Sequence, residues 1–329
     1  MADTKEMHDL VIIGAGPSAL AAAVYTTRED LDTVLYEKGV VGGLAAITDW
    51  VDNYPGFIKG ISGLDLAQQL QGQAERFGAD IRLGEVTAIT DEGKQKRIET
   101  TDGTVWAKAV LISTGSDYKK LGVPGEQEYY GRGVHYCATC DGAFYRDKKL
   151  VVVGGGNSAV QEALFLLKFA THIDLLVRSE VKASEVLQHE LDKRVEEGKI
   201  TIHLGVTTDE IVGEAAEGST FKKVTKVLAT KNGEKVEFVT DGVFVFIGLL
   251  PNTGFLKDTE IKLDELGFVL TDKNLQTNVP GVFCSGDVRS GATMQIASAV
   301  GEGATAALKI REFIELQERN QVTPVGELV

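Results

Sequence analysis

Two echoing glycine-rich turns, and a Gly-Asp turn near the C-terminus, predict an α/β chain of two Rossmann-like dinucleotide-binding domains, the second inserted into the first. The echo is "DLVIIGAGPSALAAA" from Asp9 and "KLVVVGGGNSAVQEA" from Lys149. Each copy is a β-branched apolar run, then G-x-G-x-x-A, then apolar residues at helical spacing, the pattern of a strand turning sharply into a helix. The third observation is "TNVPGVFCSGDV", a turn and an apolar strand ending at Gly286-Asp287, with a long helical pattern after it.

In the first copy, Gly14 and Gly16 permit the sharp bend and the close approach of a phosphate, while Ala19 keeps the helix tight against the strand. Pro17 suits a first helical position, where no amide is missed. The first helical amides then point at a pyrophosphate. The next element, "LDTVLYEKG", is an alternating strand ending in Glu37, 21 residues beyond Gly16. A carboxylate there accepts the ribose hydroxyls of an adenine dinucleotide.

In the second copy, Gly154 and Gly156 make the turn and Ala159 the close contact. The same offset from Gly156 lands on Val177, followed by Arg178. An Arg at this edge pairs with a 2′-phosphate, so the second site leans toward NADP over NAD, a lean that Lys182 supports and Glu180 opposes. Two dinucleotide sites imply two cofactors, and the economical pair is FAD with a nicotinamide. Gly286-Asp287 lets an acid approach a ribitol chain, and the helix beyond aims its N-terminus at flavin carbonyl oxygens. Because the first turn opens the chain and the Gly-Asp turn closes it, residues 1–117 and 250–329 are expected to bind FAD and residues 118–249 to bind NAD(P)H. The crossings fall in the Gly- and Pro-punctuated stretches 113–126 and 246–255.

The totals agree with a globular protein of about two domains: 329 residues, 43% hydrophobic and 25% charged. A net charge of -14 disfavours a broad nucleic-acid or anionic-membrane surface. The longest apolar run, "GVFVFIGLL", is far short of the roughly 20 residues of a spanning helix. "MADTKEMHDL" lacks the apolar core of a signal peptide, so the expected location is cytoplasmic. The tail "QERNQVTPVGELV" reads as a frayed end without chemistry.

Of three cysteines, two lie in "CATCDG", as Cys137 and Cys140. A metal pair, a structural disulfide and a redox centre compete. Structural zinc takes four protein ligands, and the sequence offers no second CxxC and no H-x₃₋₅-H to complete a set. A reducing cytosol opens structural disulfides, and cores of this size do not need them. Redox chemistry is the preferred reading, because a reduced CxxC sets one thiolate beside the other as attacking or resolving group. Asp141 can shuttle a proton to or from a thiolate or reduced flavin, against the plainer reading of a turn residue. His135 could serve instead, although a histidine beside an apolar strand is more often structural. Cys284 reads as a small buried hydrophobe.

Together "GAGPSALAAAVYTTR", "NYPG" at 53–56, "CATCDGAFY", "GGGNSAVQEAL" and "GVFCSGDV" resemble the low-molecular-weight thioredoxin reductases of bacteria and archaea over essentially the whole chain. The resemblance implies a homodimer that binds FAD, takes electrons from NADPH and reduces a thioredoxin-like protein. It implies that Cys140 lies over the flavin, Cys137 attacks the partner disulfide and Asp141 donates the proton. It also implies flavin contacts from Ser18, Gly43, Leu44, Thr48, Asn53, Thr114, Gly115, Gln295 and Ile296, nicotinamide contacts from Asn157 and Ser158, and no metal. A large rotation of the inserted domain, hinged at the crossings, belongs to the same implication.

Three departures accompany the resemblance. Gly42-Gly43-Leu44-Ala45 stands where the family usually reads G-G-Q-L. Met294 precedes Gln295 where the family usually has Arg. Val177-Arg178-Ser179-Glu180-Val181-Lys182 thins the family's basic phosphate clamp. That last segment is similar to the NADH-using flavoprotein component of alkyl hydroperoxide reductase, which however carries a Glu at the position of Val177 and a further N-terminal dithiol domain. NADPH is therefore the expected donor with NADH possible. The alternatives are an NADH-driven reductase of a peroxiredoxin or glutaredoxin-like carrier, and a flavin redox sensor with weak nicotinamide use.

Overall fold

The computed structural model describes residues 5–48, 50–215, 222–320, 326 and 328. Most of the tail after Asn320, and the first four residues, lie outside them, and so do the expectations drawn there.

Along the chain run β1 (Met7–Ile13), α1 (Pro17–Thr27), β2 (Thr33–Glu37), α2 (Gly43–Ala46), α3 (Gly63–Arg76), β3 (Asp80–Leu83), β4 (Val86–Asp91), β5 (Lys96–Thr100), β6 (Gly103–Ile112), β7 (Ser116–Tyr118), β8 (Val134–His135), α4 (Ala138–Asp141), β9 (Lys149–Val153), α5 (Asn157–Leu166), β10 (His172–Val177), α6 (Glu185–Glu196), β11 (Ile200–Leu204), β12 (Val206–Ala215), β13 (Lys222–Lys231), β14 (Glu234–Val239), β15 (Gly242–Val245), β16 (Leu249–Pro251), β17 (Val282–Cys284) and α7 (Ile296–Glu318). They divide into two compact units, Met1–Asp117 with Leu250–Val329, and Tyr118–Leu249. The chain passes between them inside β7 and β16, two short strands that pair with each other. No described helix is long and apolar enough to cross a membrane.

In the first unit the sheet order is β3-β2-β1-β6-β5-β4, with β17 also on β6. β1 pairs in parallel with β2 and with β6. Strands covered on both faces read as unbroken apolar runs, and Leu10, Val11 and Ile12 of β1 are fully buried. The strand order reverses on either side of β1, which leaves a crevice at its C-terminal end, where open α/β sheets bind ligands. Beyond β6 the sheet turns antiparallel through β5 and β4. The alanines of α1 let it nest against α7, where a Cβ on Gly303 would run into the Ser18 carbonyl.

The second unit holds a parallel sheet of order β11-β10-β9-β15-β8 and an antiparallel meander β12-β13-β14. β9 lies between β10 and β15, so its terminal turn again opens at a switch point. The fold is thus α/β with two Rossmann-like domains, as the paired turns predict.

Candidate active site

The β1–α1 turn is built to leave one face open. Gly14 has φ +99°, and a Cβ there would meet the Ser113 carbonyl. Gly16 faces open space, with Gly43 across it: a Cβ on Gly43 would stand 3.7 Å from the Gly16 Cα. Pro17 occupies the first turn of α1, and Ser18 and Ala19 are buried behind it. A phosphate placed beside Gly16 would meet the amide end of α1 without displacing a side chain.

Glu37 ends β2 with its carboxylate accepting the amides of Ala15 at 2.8 Å and Gly39 at 2.8 Å. Those bonds fix the carboxylate beside a pocket lined by Gly14, Glu37, Lys38, Val86, Thr114 and Asn252. The Thr114 hydroxyl donates to the Asn252 carbonyl at 2.8 Å, the Asn252 amide returns a bond to the Thr114 carbonyl at 3.0 Å, and Gly115 turns with φ +67°. Asn252 is a residue that motif spacing does not mark, since its partner lies 138 residues away.

On the far side of the turn, the Ser285 hydroxyl bonds those of Ser18 at 2.7 Å and Ser113 at 2.9 Å. Gly286 follows with φ +75°, and its amide is held by Glu302 at 2.8 Å. Asp287 makes no hydrogen bond or ion pair among the described residues, and burial, then the charge of Glu302, pushes its carboxyl up to about 6. Such a group lacks a hydroxyl partner, which a ribitol chain supplies. Gln295 caps α7 ahead of Ile296, and its side-chain carbonyl accepts the Asn53 amide at 3.0 Å. Met294 takes a left-handed φ of +57° to aim that start. The Thr48 hydroxyl turns back onto the Leu44 carbonyl at 2.8 Å. These residues, gathered in one unit, fit FAD.

In the second unit Cys137 and Cys140 are joined in a disulfide with Cα atoms 5.3 Å apart. Cys137 caps α4, and the Cys140 amide donates to the Cys137 sulfur at 3.2 Å. An amide aimed at that sulfur favours its thiolate once the bond opens. Asp141 ends α4, with Oδ2 3.1 Å from His135 Nδ1, while His135 Nε2 meets the Tyr145 hydroxyl at 2.6 Å. Glu162, on α5, takes the Ala138 amide, and burial holds its carboxyl above the usual range.

The β9–α5 turn repeats the first. Gly154 has φ +145° with a Cβ position blocked by Phe246 and Ala159, whereas Gly156 faces open space. Asn157 and Ser158 are exposed, and Asn157 Oδ1 accepts the Ser184 amide at 2.7 Å. Lys182 is turned to Glu180, Nζ to Oε1 3.5 Å, leaving exposed Arg178 as the cation without a partner among these three residues. The residues fit a dinucleotide with one guanidinium free for a 2′-phosphate. Cys284 is fully buried, and burial drives its thiol up, out of reach of redox chemistry.

A family model described as pyridine nucleotide-disulphide oxidoreductase matches residues 8–303. The chain belongs to the pyridine nucleotide-disulphide oxidoreductase family. It is an oxidoreductase, and a flavin and a pyridine nucleotide, the cofactors of that family, are the two that its paired turns fit. Within the family the chain is 39% identical over 318 residues to the thioredoxin reductase of Listeria monocytogenes, covering 96% of each. The crystal structure of thioredoxin reductase from Streptococcus pyogenes overlays with a TM-score of 0.87 at 39% identity, over 95% of this chain and 99% of that one. That of Lactococcus lactis thioredoxin reductase, in its FR conformation, overlays at 0.62 with 40% identity, over 94% and 99%.

Proposed function

We propose that the protein is a thioredoxin reductase, moving two electrons from NADPH through FAD and the Cys137–Cys140 disulfide to the disulfide of a thioredoxin. The observation that carries this is the closed CxxC pair with an amide on the Cys137 sulfur and a carboxyl at the end of the same short helix.

FAD, when bound, supplies the relay of electrons between nicotinamide and disulfide. Glu37 holds the ribose, the amide end of α1 the pyrophosphate and Asp287 the ribitol; Arg178 holds the 2′-phosphate of NADPH. Opening the Cys137–Cys140 bond takes two electrons and two protons, and Asp141 delivers a proton to the leaving sulfur. The Cys137 thiolate then attacks the foreign disulfide, releasing one of its sulfurs, which takes up a proton. Cys140 attacks Cys137, re-forms the internal bond and releases the second sulfur with its proton. The balance is one disulfide reduced for one NADPH.

One sulfur pair has to serve FAD and a protein substrate in turn, so the inserted domain rotates about the crossings in β7 and β16. The exposed apolar residues Ile47, Trp50, Ile58 and Leu64 on the FAD unit support a homodimer, and a dithiol centre suits a reducing cytosol.

In the test, Cys137→Ser retains its flavin and its bleaching by NADPH but loses thioredoxin reduction by at least about a hundredfold; undiminished turnover contradicts the proposal. A second reading, NADH as donor, is favoured by the Lys182–Glu180 pair. Faster flavin bleaching by NADH than by NADPH establishes it.

A further inference from the structure

We infer that His135 is the positioning residue for the proton donor: the Tyr145 hydroxyl fixes the His135 ring, and the ring stands against Asp141 and holds its carboxyl at the cysteine pair. This rests on the reading of Asp141 as the donor.

His135 is 5% exposed and has a polar partner at each ring nitrogen: Nε2 is hydrogen-bonded to the Tyr145 hydroxyl at 2.6 Å, and Nδ1 lies within ion-pair distance of Asp141 Oδ2, at 3.1 Å. Its plane is fixed as well, stacked on Phe244 at 5.1 Å, with the Tyr145 ring edge-on to both. A histidine needed only to fill space has no use for two polar partners. When Nε2 accepts the phenol hydrogen of Tyr145, a neutral ring carries its own hydrogen on Nδ1, the atom that faces the Asp141 carboxyl. Burial, with the charges of Asp141 and Asp241, drives the Tyr145 hydroxyl up, which keeps it a donor.

The chemistry follows from that order. When Asp141 passes its proton to a sulfur, it becomes a carboxylate in a partly buried site. Nδ1–H receives that charge, so the donor form and the spent form both have a partner. The other ionisable groups facing the chain are Tyr130, beside Asp141; Asp241, ahead of β15 and near Tyr145; and Glu162, which holds the Ala138 amide on α4. None of them bonds the imidazole. A change in pH dependence on removing His135 therefore reports the His135–Asp141 pair.

The experiment is a double-mutant cycle on the FAD-loaded enzyme with NADPH and a bacterial thioredoxin, reading kcat from pH 5.5 to 8.5. His135→Phe keeps the stacking and removes both polar contacts; it is expected to lower kcat at pH 7 about 10- to 100-fold. It is also expected to alter the pH profile of kcat, a readout that a merely structural role would leave unmoved. His135→Asn restores a donor near the Nδ1 position and is expected to recover kcat to within about threefold of the parent. It also serves if the Phe variant does not fold. His135→Phe combined with Asp141→Asn is expected to be no slower than Asp141→Asn alone.

Three results overturn the inference while leaving the thioredoxin reductase reading intact. They are a Phe variant with parental kcat and pH profile, an Asn variant as slow as the Phe variant, and losses that multiply in the double variant. Parental kcat in Asp141→Asn overturns the donor reading itself, and this inference with it.

Discussion

Asp287 carries its function as a destabilised charge. Its carboxyl is pushed up to about 6 in the folded protein, above an unfolded value near 4. A raised folded pKa means that the neutral form suits the fold: the stabilisation is complete below about pH 4 and lost as pH rises through about 6. Asp287→Asn keeps the shape without the charge. The flavin-free variant is therefore expected to exceed the parent in stability by roughly 2–3 kcal/mol at pH 8 and to match it at pH 4, read by thermal or denaturant unfolding. The same variant is expected to bind FAD less tightly, since an amide accepts ribitol hydroxyls less strongly than a carboxylate. At this scale the sequence was legible wherever spacing along one βα unit sets the contact. Glu37 is found by counting from Gly16, and it stands at the pocket with Gly14. The serine chain was not legible, because Ser18 and Ser285 are 267 residues apart and Ser113 and Ser285 172 apart. Nor were the contacts of His135, whose ring looks structural in the chain and meets Tyr145 at one nitrogen and Asp141 at the other in the fold.

The elements that matter most are α1 and α7, which face the open side of the β1–α1 turn. Their closeness depends on Gly303, whose missing Cβ leaves room for the Ser18 carbonyl. Gly303→Ala puts a methyl group against backbone that has no free rotamer to yield. It is expected to destabilise the protein by about 3 kcal/mol or more and to release FAD, measured as the ratio of flavin to protein absorbance after gel filtration. A variant that keeps full flavin and its melting temperature contradicts the packing argument. Periodicity made both helices legible, and Pro17 fixed where the first begins. The start of α7 was less so: it depends on Met294 in a left-handed conformation, which no propensity scale assigns to methionine. The antiparallel pairing of β4, β5 and β6, and the β12–β14 meander, went unassigned because motif reading follows phosphate turns, and these strands carry none.

For the whole molecule, the order of the motifs along the chain implies an inserted domain, because two halves of one cofactor site bracket another. What the order does not supply is the posture in which sulfur would meet FAD, since no residue pair that spacing could reveal sets it. The central claim is that the Cys137–Cys140 pair is the route by which electrons leave the protein. The most direct measurement is anaerobic: one equivalent of NADPH is added to the FAD-loaded enzyme, the reaction is quenched with an alkylating reagent at short intervals, and each cysteine is assayed by mass spectrometry, with and without oxidised thioredoxin. The account predicts that Cys137 and Cys140 become alkylated together as NADPH is consumed, that thioredoxin protects both again while gaining two thiols of its own, and that Cys284 stays unlabelled throughout. NADPH consumed and thioredoxin reduced while the Cys137–Cys140 bond stays closed would contradict it.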